Sequence, residues 1–462
     1  MKVTCFGATR EVTGSCHLLE VAGKKVLLDC GMIQGRAKDE ARNREPFPFD
    51  VASLDAVVLS HAHIDHSGRL PLLVKSGFTG PIYSHAASID LCKILLKDSA
   101  YINEREVQWE NRKRERKGLK LLEPLYSQQD AAEAMQNFEA LAYAEPREIL
   151  PGVTVTLHDA GHIIGSAIVE LTLSENGIDK TLVFSGDLGH RGSPILRDYS
   201  LLEHADLVMM ESTYGDRDHK GWDESFEEVS EIVRIINNST GNVLIPAFAV
   251  GRSQTILYMF AKYAREWQLD RWQIFLDSPM AIEATAVYAR HTDLYDEAAS
   301  AFWQENDSLM HLPNLHYSKT SEQSMKLNRI SDGAIIIAGS GMCTGGRIKH
   351  HLKHNAWRSN CHIVITGYQA HGTIGRDLVD GKRHIRLWGE TIRVAAQVHT
   401  IGGLSAHAGQ RGLLDWYAGF KNRPRVLLVH GEEEAMEVFA GRLRNDYQAK
   451  VEIATHGQSY EI

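Results

Sequence analysis

The chain has 462 residues, too many for one ordinary hydrophobic core, so two domains are expected. An apolar fraction of 43% beside 24% charged residues fits a globular protein and excludes a disordered one. The net charge of −9 excludes a global electrostatic drive toward nucleic acid, so any phosphate site needs local positive charge, which bound metal ions can supply.

Met1 to Gly7 reads as a first strand entering a glycine turn and lacks the regions of a signal peptide. Six scattered cysteines with no Cys-x-x-Cys pair read as reduced, buried thiols, and no apolar run approaches the ~18 residues of a membrane span. A cytoplasmic protein is therefore expected. Ser15 to Glu20 and Lys24 to Asp29 flank an Ala22-Gly23 turn and form a hairpin. Asp29 closes a buried strand, where an acid is costly unless paired, and is expected to brace a ligand loop from behind.

Residues 60 to 68 read Ser-His-Ala-His-Ile-Asp-His-Ser-Gly, between an apolar run at 54–59 and a helical stretch at 69–75. In extended chain His61 and His63 point the same way, and a turn at Asp65-His66 aims two more donors at a second point. Imidazole and carboxylate together suit zinc or a similar divalent ion. Ala86 to about Gly118 reads as a helix ending in Arg112-Lys113-Arg114-Glu115-Arg116-Lys117, and its interleaved acids favour a solvated helix end over an RNA clamp. Ser127 to Ala140 reads as a second helix with Ser127 and Asp130 as N-terminal caps. Strands then end successively at His162, Asp187 and Glu211, and ligands collect beyond strand carboxyl ends.

From about 216 the texture becomes strand, glycine loop, helix, which implies a parallel sheet surrounded by helices. The glycine loops at 339–346 and 367–375 can offer backbone N–H groups to phosphates. Ser340 and Gly341 lie in the first, and Tyr368 and His371 in the second. Arg252, Arg347 and Arg376 stand beside such loops, and His399 lies near the end of a later strand; all eight are candidate substrate contacts. The other histidines, among them His85, His350, His351 and His354, read as surface or helix residues. Strands return at 391–399, a Ser-Ala-His loop presents His407, and a buried strand ends at His430. The expected division is 1–215, then an insert at 216–390, then 391–462 returning to the first domain.

The strand ends supply a set for two ions: His61, His63 and His162; Asp65, His66 and His430; and Asp187 shared. His407 has the position of a general acid, and Glu211 of the group that orients its imidazole. Asp65 is counted with His407 and Glu211 among the catalytic candidates as well as among the ligands.

The His-Ala-His-Ile-Asp-His cluster, followed by His162 and Asp187, resembles the metallo-β-lactamase superfamily. Glu211, the loop at His407 and the Val-His-Gly-Glu loop at His430 look like its β-CASP group, and the phrases at 7–14 and 339–342 extend the likeness along the chain. It most resembles bacterial and archaeal relatives of the pre-mRNA 3′-end cleavage endonuclease subunit. The resemblance implies an α/β fold: an αββα sandwich with an inserted parallel-sheet β-CASP domain. It implies two zinc ions per chain and hydrolysis of single-stranded RNA by a metal-bridging hydroxide, with His407 protonating the leaving oxygen to give a 5′-phosphate end. A histidine at 430 resembles RNA-cleaving members; Artemis-like DNA nucleases have an apolar residue there. Gly409 departs from the acid the group often has two places after its loop histidine, and no KH-type extension is expected before Met1. Endonuclease action is expected, with 5′-to-3′ exonuclease action open beside it. A DNA nuclease or a small-ester hydrolase on the same fold is the alternative, and a homodimer is left open.

Overall fold

A computed structural model describes residues 1–306, 308 and 310–462, leaving the side chain of Ala37 aside. It divides into two compact units, one of residues 1–191, 198–218 and 407–462, the other of 192–197 and 219–406.

In the first unit two seven-stranded sheets form the sandwich. One runs in the order Ser459–Glu461, Lys2–Cys5, His17–Val21, Lys24–Leu28, Ala56–Val58, Ile82–His85, Phe138–Leu141. The other runs Val451–Ile453, Arg425–Leu428, Leu207–Met210, Ile178–Phe184, Ala167–Glu175, Val153–Asp159, Arg147–Leu150. Alternation along these strands sends one set of side chains between the sheets. Val3, Leu19, Val26 and Val58 of the first meet Val155, Val169, Leu182 and Met209 of the second in a core closed to water. The outer face of the second sheet buries Val183, Val208 and Leu428 with Leu413, Trp416 and Phe439 of the helices Gln410–Ala418 and Glu433–Tyr447.

What matters for function is direction. Ile178–Phe184, Leu207–Met210 and Arg425–Leu428 are parallel neighbours, with Leu182 beside Leu207 and Leu207 beside Arg425. Their carboxyl ends therefore emerge together, carrying Asp187, Glu211 and His430. Lys24–Leu28 and Ala56–Val58 are likewise parallel, so Asp29 and Ser60-His61 follow adjacent strand ends.

The second unit holds a six-stranded parallel sheet in the order Leu315–Tyr317, Gln273–Leu276, Ala334–Ala338, Val243–Pro246, His362–Ile365, Gln397–Thr400. Its four inner strands read as buried apolar runs, while the edge strands Leu315–Tyr317 and Gln397–Thr400 are more polar and exposed. The two units and the sheets give the α/β architecture expected: a sandwich with a parallel-sheet insert.

Local expectations meet two corrections. The helix that begins at Ser127 stops at Ala134, passes through a 3-10 turn, and becomes the edge strand Phe138–Leu141. The β-prone Phe138 pairs in parallel with Ile82, so sheet completion overrides helical continuation. His85 is buried and precedes its helix rather than lying at the surface or within it, and His351, helical as expected, is buried as well. His85 caps the helix Ala86–Arg116 by accepting from the Ala87 N–H, and its ring stacks on Tyr143.

His351 belongs to a buried polar cluster in the second unit. The Asp277 carboxylate accepts from His351 Nε2 (2.6 Å), Ser324 Oγ (2.6 Å) and Arg347 Nη1 (2.7 Å). Burial opposes its ionisation, but His351 and Ser324 hydrogen bonds outweigh that and hold its pKa below the ordinary 3.8. Because the folded value lies below the unfolded one, the stabilisation is complete above the ordinary carboxylate value and is lost as pH falls through the folded value. Asp277→Asn is expected to cost roughly 2–4 kcal/mol at neutral pH, since it leaves the partly buried Arg347 guanidinium without its counter-charge and breaks the His351 hydrogen bond. Hydrogen exchange along 273–276 and 334–338 reads this loss, and the gap from the parent protein narrows in acid.

Candidate metal centre

Three donors converge first. His61 Nε2 lies 3.2 Å from His63 Nδ1, and His162 Nε2 lies 3.1 Å from the same His63 atom. Asp187 Oδ2 stands 3.4 Å from His61 Nε2 and 3.6 Å from His162 Nε2. A tetrahedron with arms of ~2.0–2.1 Å has edges of about 3.3–3.4 Å, so these four atoms have the spacing of a zinc coordination shell. The second group adjoins it. His66 Nε2 lies 3.1 Å from His430 Nε2 and 3.3 Å from Asp187 Oδ1, and Asp65 Oδ2 lies 3.6 Å from His430 Nε2. Asp187 thus turns one oxygen to each group, and its Oδ1, though buried, accepts no hydrogen bond among the described residues. An orphaned carboxylate oxygen amid imidazoles fits a missing cation.

The far nitrogens of the rings are fixed from outside. His66 Nδ1 meets Asp29 Oδ2 at 2.7 Å, His61 Nδ1 meets Ser60 Oγ at 3.1 Å, and His430 Nδ1 meets Thr213 Oγ1 at 3.0 Å. Such partners set the tautomer and ring orientation of a metal ligand. Asp29 also accepts from the Ser60 N–H (2.8 Å) and from the hydroxyls of Ser60 and Ser15 (both 3.0 Å), so this buried acid is fully satisfied. The sequence alone assigns Ser15, Ser60 and Thr213 no role at the site; Ser60 adjoins His61 and Thr213 lies two places beyond Glu211, and that proximity is the available signal. Buried His17 was also missed; burial, then the charges of His66 and His430, push its pKa down to about 3, so it stays neutral behind the site.

Backbone geometry locks the loops. Asp29 and His430 are left-handed, with φ of 59° and 53°, a costly conformation for residues with a side chain. Each is held by a main-chain bond, Asp29 N–H to Val58 O (3.0 Å) and His430 N–H to Ala8 O (2.7 Å). Gly31 passes so close to the Asp65 carbonyl that a β-carbon would sit 1.6 Å from its oxygen.

Charge follows this packing. Burial and the neighbouring His66 push the His61 pKa well down, and burial likewise lowers that of His63, leaving both in the neutral form that binds metal. Burial works against ionised Asp187, yet His430, His66 and His61 prevail and hold it well below the carboxylate range. At Asp65 burial is likewise outweighed, chiefly by the His430 hydrogen bond, and the pKa falls to about 2.

His407 sits at the rim, with about a fifth of its side chain exposed. Its Nδ1 faces Glu211 Oε1 at 3.3 Å and Asp187 Oδ2 at 4.0 Å. Glu211 is anchored by the N–H groups of Leu188 (2.8 Å) and Thr213 (3.2 Å), and its carboxylate also lies near Asp187 and His430. Burial disfavours the His407 imidazolium, but Glu211 and Asp187 outweigh it and raise its pKa to about 9.

The expected substrate contacts lie in the second unit. Three loops at strand carboxyl ends meet there: Gln369 Nε2 donates to Gly341 O (3.0 Å), Gly375 N–H to Met342 O (3.1 Å), and Phe248 packs on Gly341. Ser340, Gly341, Arg252, Tyr368 and His371 belong to these loops or their immediate flanks. Three residues do not stand as expected. Arg347 is drawn inward by Asp277 and by the Ser318 carbonyl (2.7 Å), because a buried carboxylate needs a cation. Arg376 pairs with Asp380 one helical turn on, at 2.7 Å. His399 lies within a strand, where its Nε2 meets His362 Nδ1 at 3.0 Å.

Three family models match in succession: the Metallo-beta-lactamase superfamily domain over residues 18–213, the Beta-Casp domain over 253–378, and the Zn-dependent metallo-hydrolase RNA specificity domain over 391–454. A ribonuclease of Thermus thermophilus is 40% identical over 462 residues, covering all of both chains. Transcription termination factor FttA of Pyrococcus abyssi is 33% identical over 94% of this chain and 67% of its own, and that of Methanocaldococcus jannaschii 31% identical over 96% and 69%. A crystal structure of a protein of unknown function from Enterococcus faecalis V583 superposes with a TM-score of 0.54 at 12% identity over 100% of this chain and 99% of its own, a likeness of fold alone.

Asp29→Ala is expected to lower zinc affinity about 10–100-fold while leaving the other donors in place, because His66 loses the carboxylate that aims it. Competition with a chromophoric chelator measures this directly; an unchanged affinity removes Asp29 from the site.

Proposed function

Starting from a chain that belongs to the β-CASP group of the metallo-β-lactamase superfamily, we propose a zinc-dependent ribonuclease that hydrolyses RNA phosphodiester bonds. The observation that carries it is the pair of donor groups on either side of Asp187, with the His407 imidazole held by Glu211 at their rim. Support for RNA comes from the RNA specificity domain match at 391–454, which includes His407 and His430, and from the ribonuclease of Thermus thermophilus.

His61, His63 and His162 would hold one zinc ion, Asp65, His66 and His430 the other, with Asp187 between them. Bound there, the metal supplies Lewis-acid activation of water and neutralises phosphate charge. The residues of the chain divide the remaining work. Asp29, Ser60 and Thr213 orient the rings. Asp65, beside His430, keeps its charge throughout the working pH range. His407 gives the proton held on its ring to the departing ribose oxygen, and Glu211 stabilises the imidazolium before that transfer. The expected products are a 3′-hydroxyl and a 5′-phosphate. Gly409 follows His407 as a helix N-cap, where relatives often have an acid, and contributes no charge to this step.

No helix of the described residues is long and apolar enough to cross a membrane. We place the protein in the cytoplasm on its six free, buried cysteines. For the fold units we propose a division near 215 and, because the strand Gln397–Thr400 pairs within the second unit's sheet, near 406 rather than 390, with the final segment completing the catalytic unit.

His407→Ala is expected to reduce RNA cleavage about 10²–10⁴-fold with zinc content unchanged. Glu211→Gln is expected to lower kcat and to shift the alkaline limb of the rate profile downward. Wild-type cleavage of RNA that survives complete chelation would contradict the proposal, as would preference for DNA or a small ester.

A further inference from the structure

The helix Ala86–Arg116 begins beneath the metal loops, where Ser88 Oγ donates to Gly165 O at 2.7 Å. At 1.5 Å per residue it carries Trp109 about 30 Å away. Ala100 and Val107 are buried on its inner face, and the Asn103 and Asn111 side chains tie down the following loop at Leu125 and Leu122. Residues 101, 105, 109, 112 and 116 recur at helical spacing on the other face, and all five are exposed.

That face has an unusual composition. Trp109 is 62% and Tyr101 45% exposed, and each has a cation over its ring, Lys113 Nζ at 3.1 Å and Arg105 Cζ at 5.3 Å. A cation that merely shielded the indole would leave it covered, yet most of Trp109 faces water. From Arg112 to Lys120 six cations stand against one acid, on a chain of net charge −9. Of the interleaved acids, Glu104 is engaged elsewhere, accepting from Gln128 N (3.0 Å) and Nε2 (2.9 Å), while Glu110 answers one cation, Lys113, at 3.7 Å and leaves the others in excess.

We propose that this face is an auxiliary track for single-stranded RNA, separate from the metal centre and used by long substrates. The proposal rests on the ribonuclease reading. Exposed rings stack on bases regardless of sequence, and adjacent guanidinium and ammonium groups attract phosphates. A strand bridging about 30 Å needs on the order of nine nucleotides at a stacked spacing of ~3.4 Å. Shorter RNA would reach the metal centre without touching the track.

The test compares a ~6-nucleotide with a ~30-nucleotide RNA of the same repeat on the zinc-loaded protein. The triple variant Trp109→Ala, Arg112→Glu, Arg116→Glu is expected to raise KM for the long RNA about tenfold, with kcat within about twofold. Its kinetics on the short RNA stay those of the parent. Loss of two phosphate contacts makes the salt dependence of long-RNA binding shallower by about 1.4 in log–log slope. Trp109→Phe with Arg112→Lys and Arg116→Lys restores the parent values. Unchanged KM and salt slope on long RNA overturn the track and leave the ribonuclease reading intact. A fall in molar mass by light scattering in the triple variant also overturns it, because the face would then bind protein. If the parent cleaves neither RNA, the ribonuclease reading fails, and anisotropy of the labelled long RNA in chelator still decides whether the face binds it.

Discussion

Lone pairs that face one another at 3.1–3.6 Å repel unless positive charge stands among them. That constraint organises the first unit. His61, His63, His162, Asp65, His66, His430 and Asp187 come from four separate places in the chain, and all are buried or nearly so. Burying so many donors with one carboxylate oxygen unsatisfied is unfavourable for the chain alone. The fold withstands this cost because two β-sheets deliver the donors from their strand ends. A metal cation turns the same arrangement from a liability into a bond network.

The loops that hold the cage show the same economy. Asp29 and His430 have left-handed backbones, and each is secured by one main-chain hydrogen bond to a neighbouring segment. Asp29 has four donors around it, so ring orientation at His66 is set by the scaffold before any metal arrives. His407 differs in being partly exposed, and its charge is set by Glu211 and Asp187 together. The imidazole proposed as proton donor thereby lies at the edge of the cage, open to solvent.

Much of this was legible in the sequence because strand ends announce themselves. An apolar run followed by His, Asp or Glu marks a position, and parallel pairing brings such positions to one side. The donors at 61–66, 162, 187 and 430 could be read this way. The polar residues behind them could not, because Ser15, Ser60 and Thr213 are ordinary turn residues until their partners are known. Arg347 shows the opposite failure. A cation beside a glycine loop suggests phosphate, but the buried Asp277 lies 70 residues away and claims it. The strand at 138–141 was hidden for a similar reason: it exists only because Ile82–His85 offers an open edge.

The account turns on the cage holding two cations on a shared carboxylate. Anomalous diffraction at the zinc edge, from crystals of the metal-loaded protein, tests that most directly. Two peaks are expected, one among His61, His63 and His162 and one among Asp65, His66 and His430, with Asp187 touching both. A single peak, or none within bonding distance of Asp187, would contradict it.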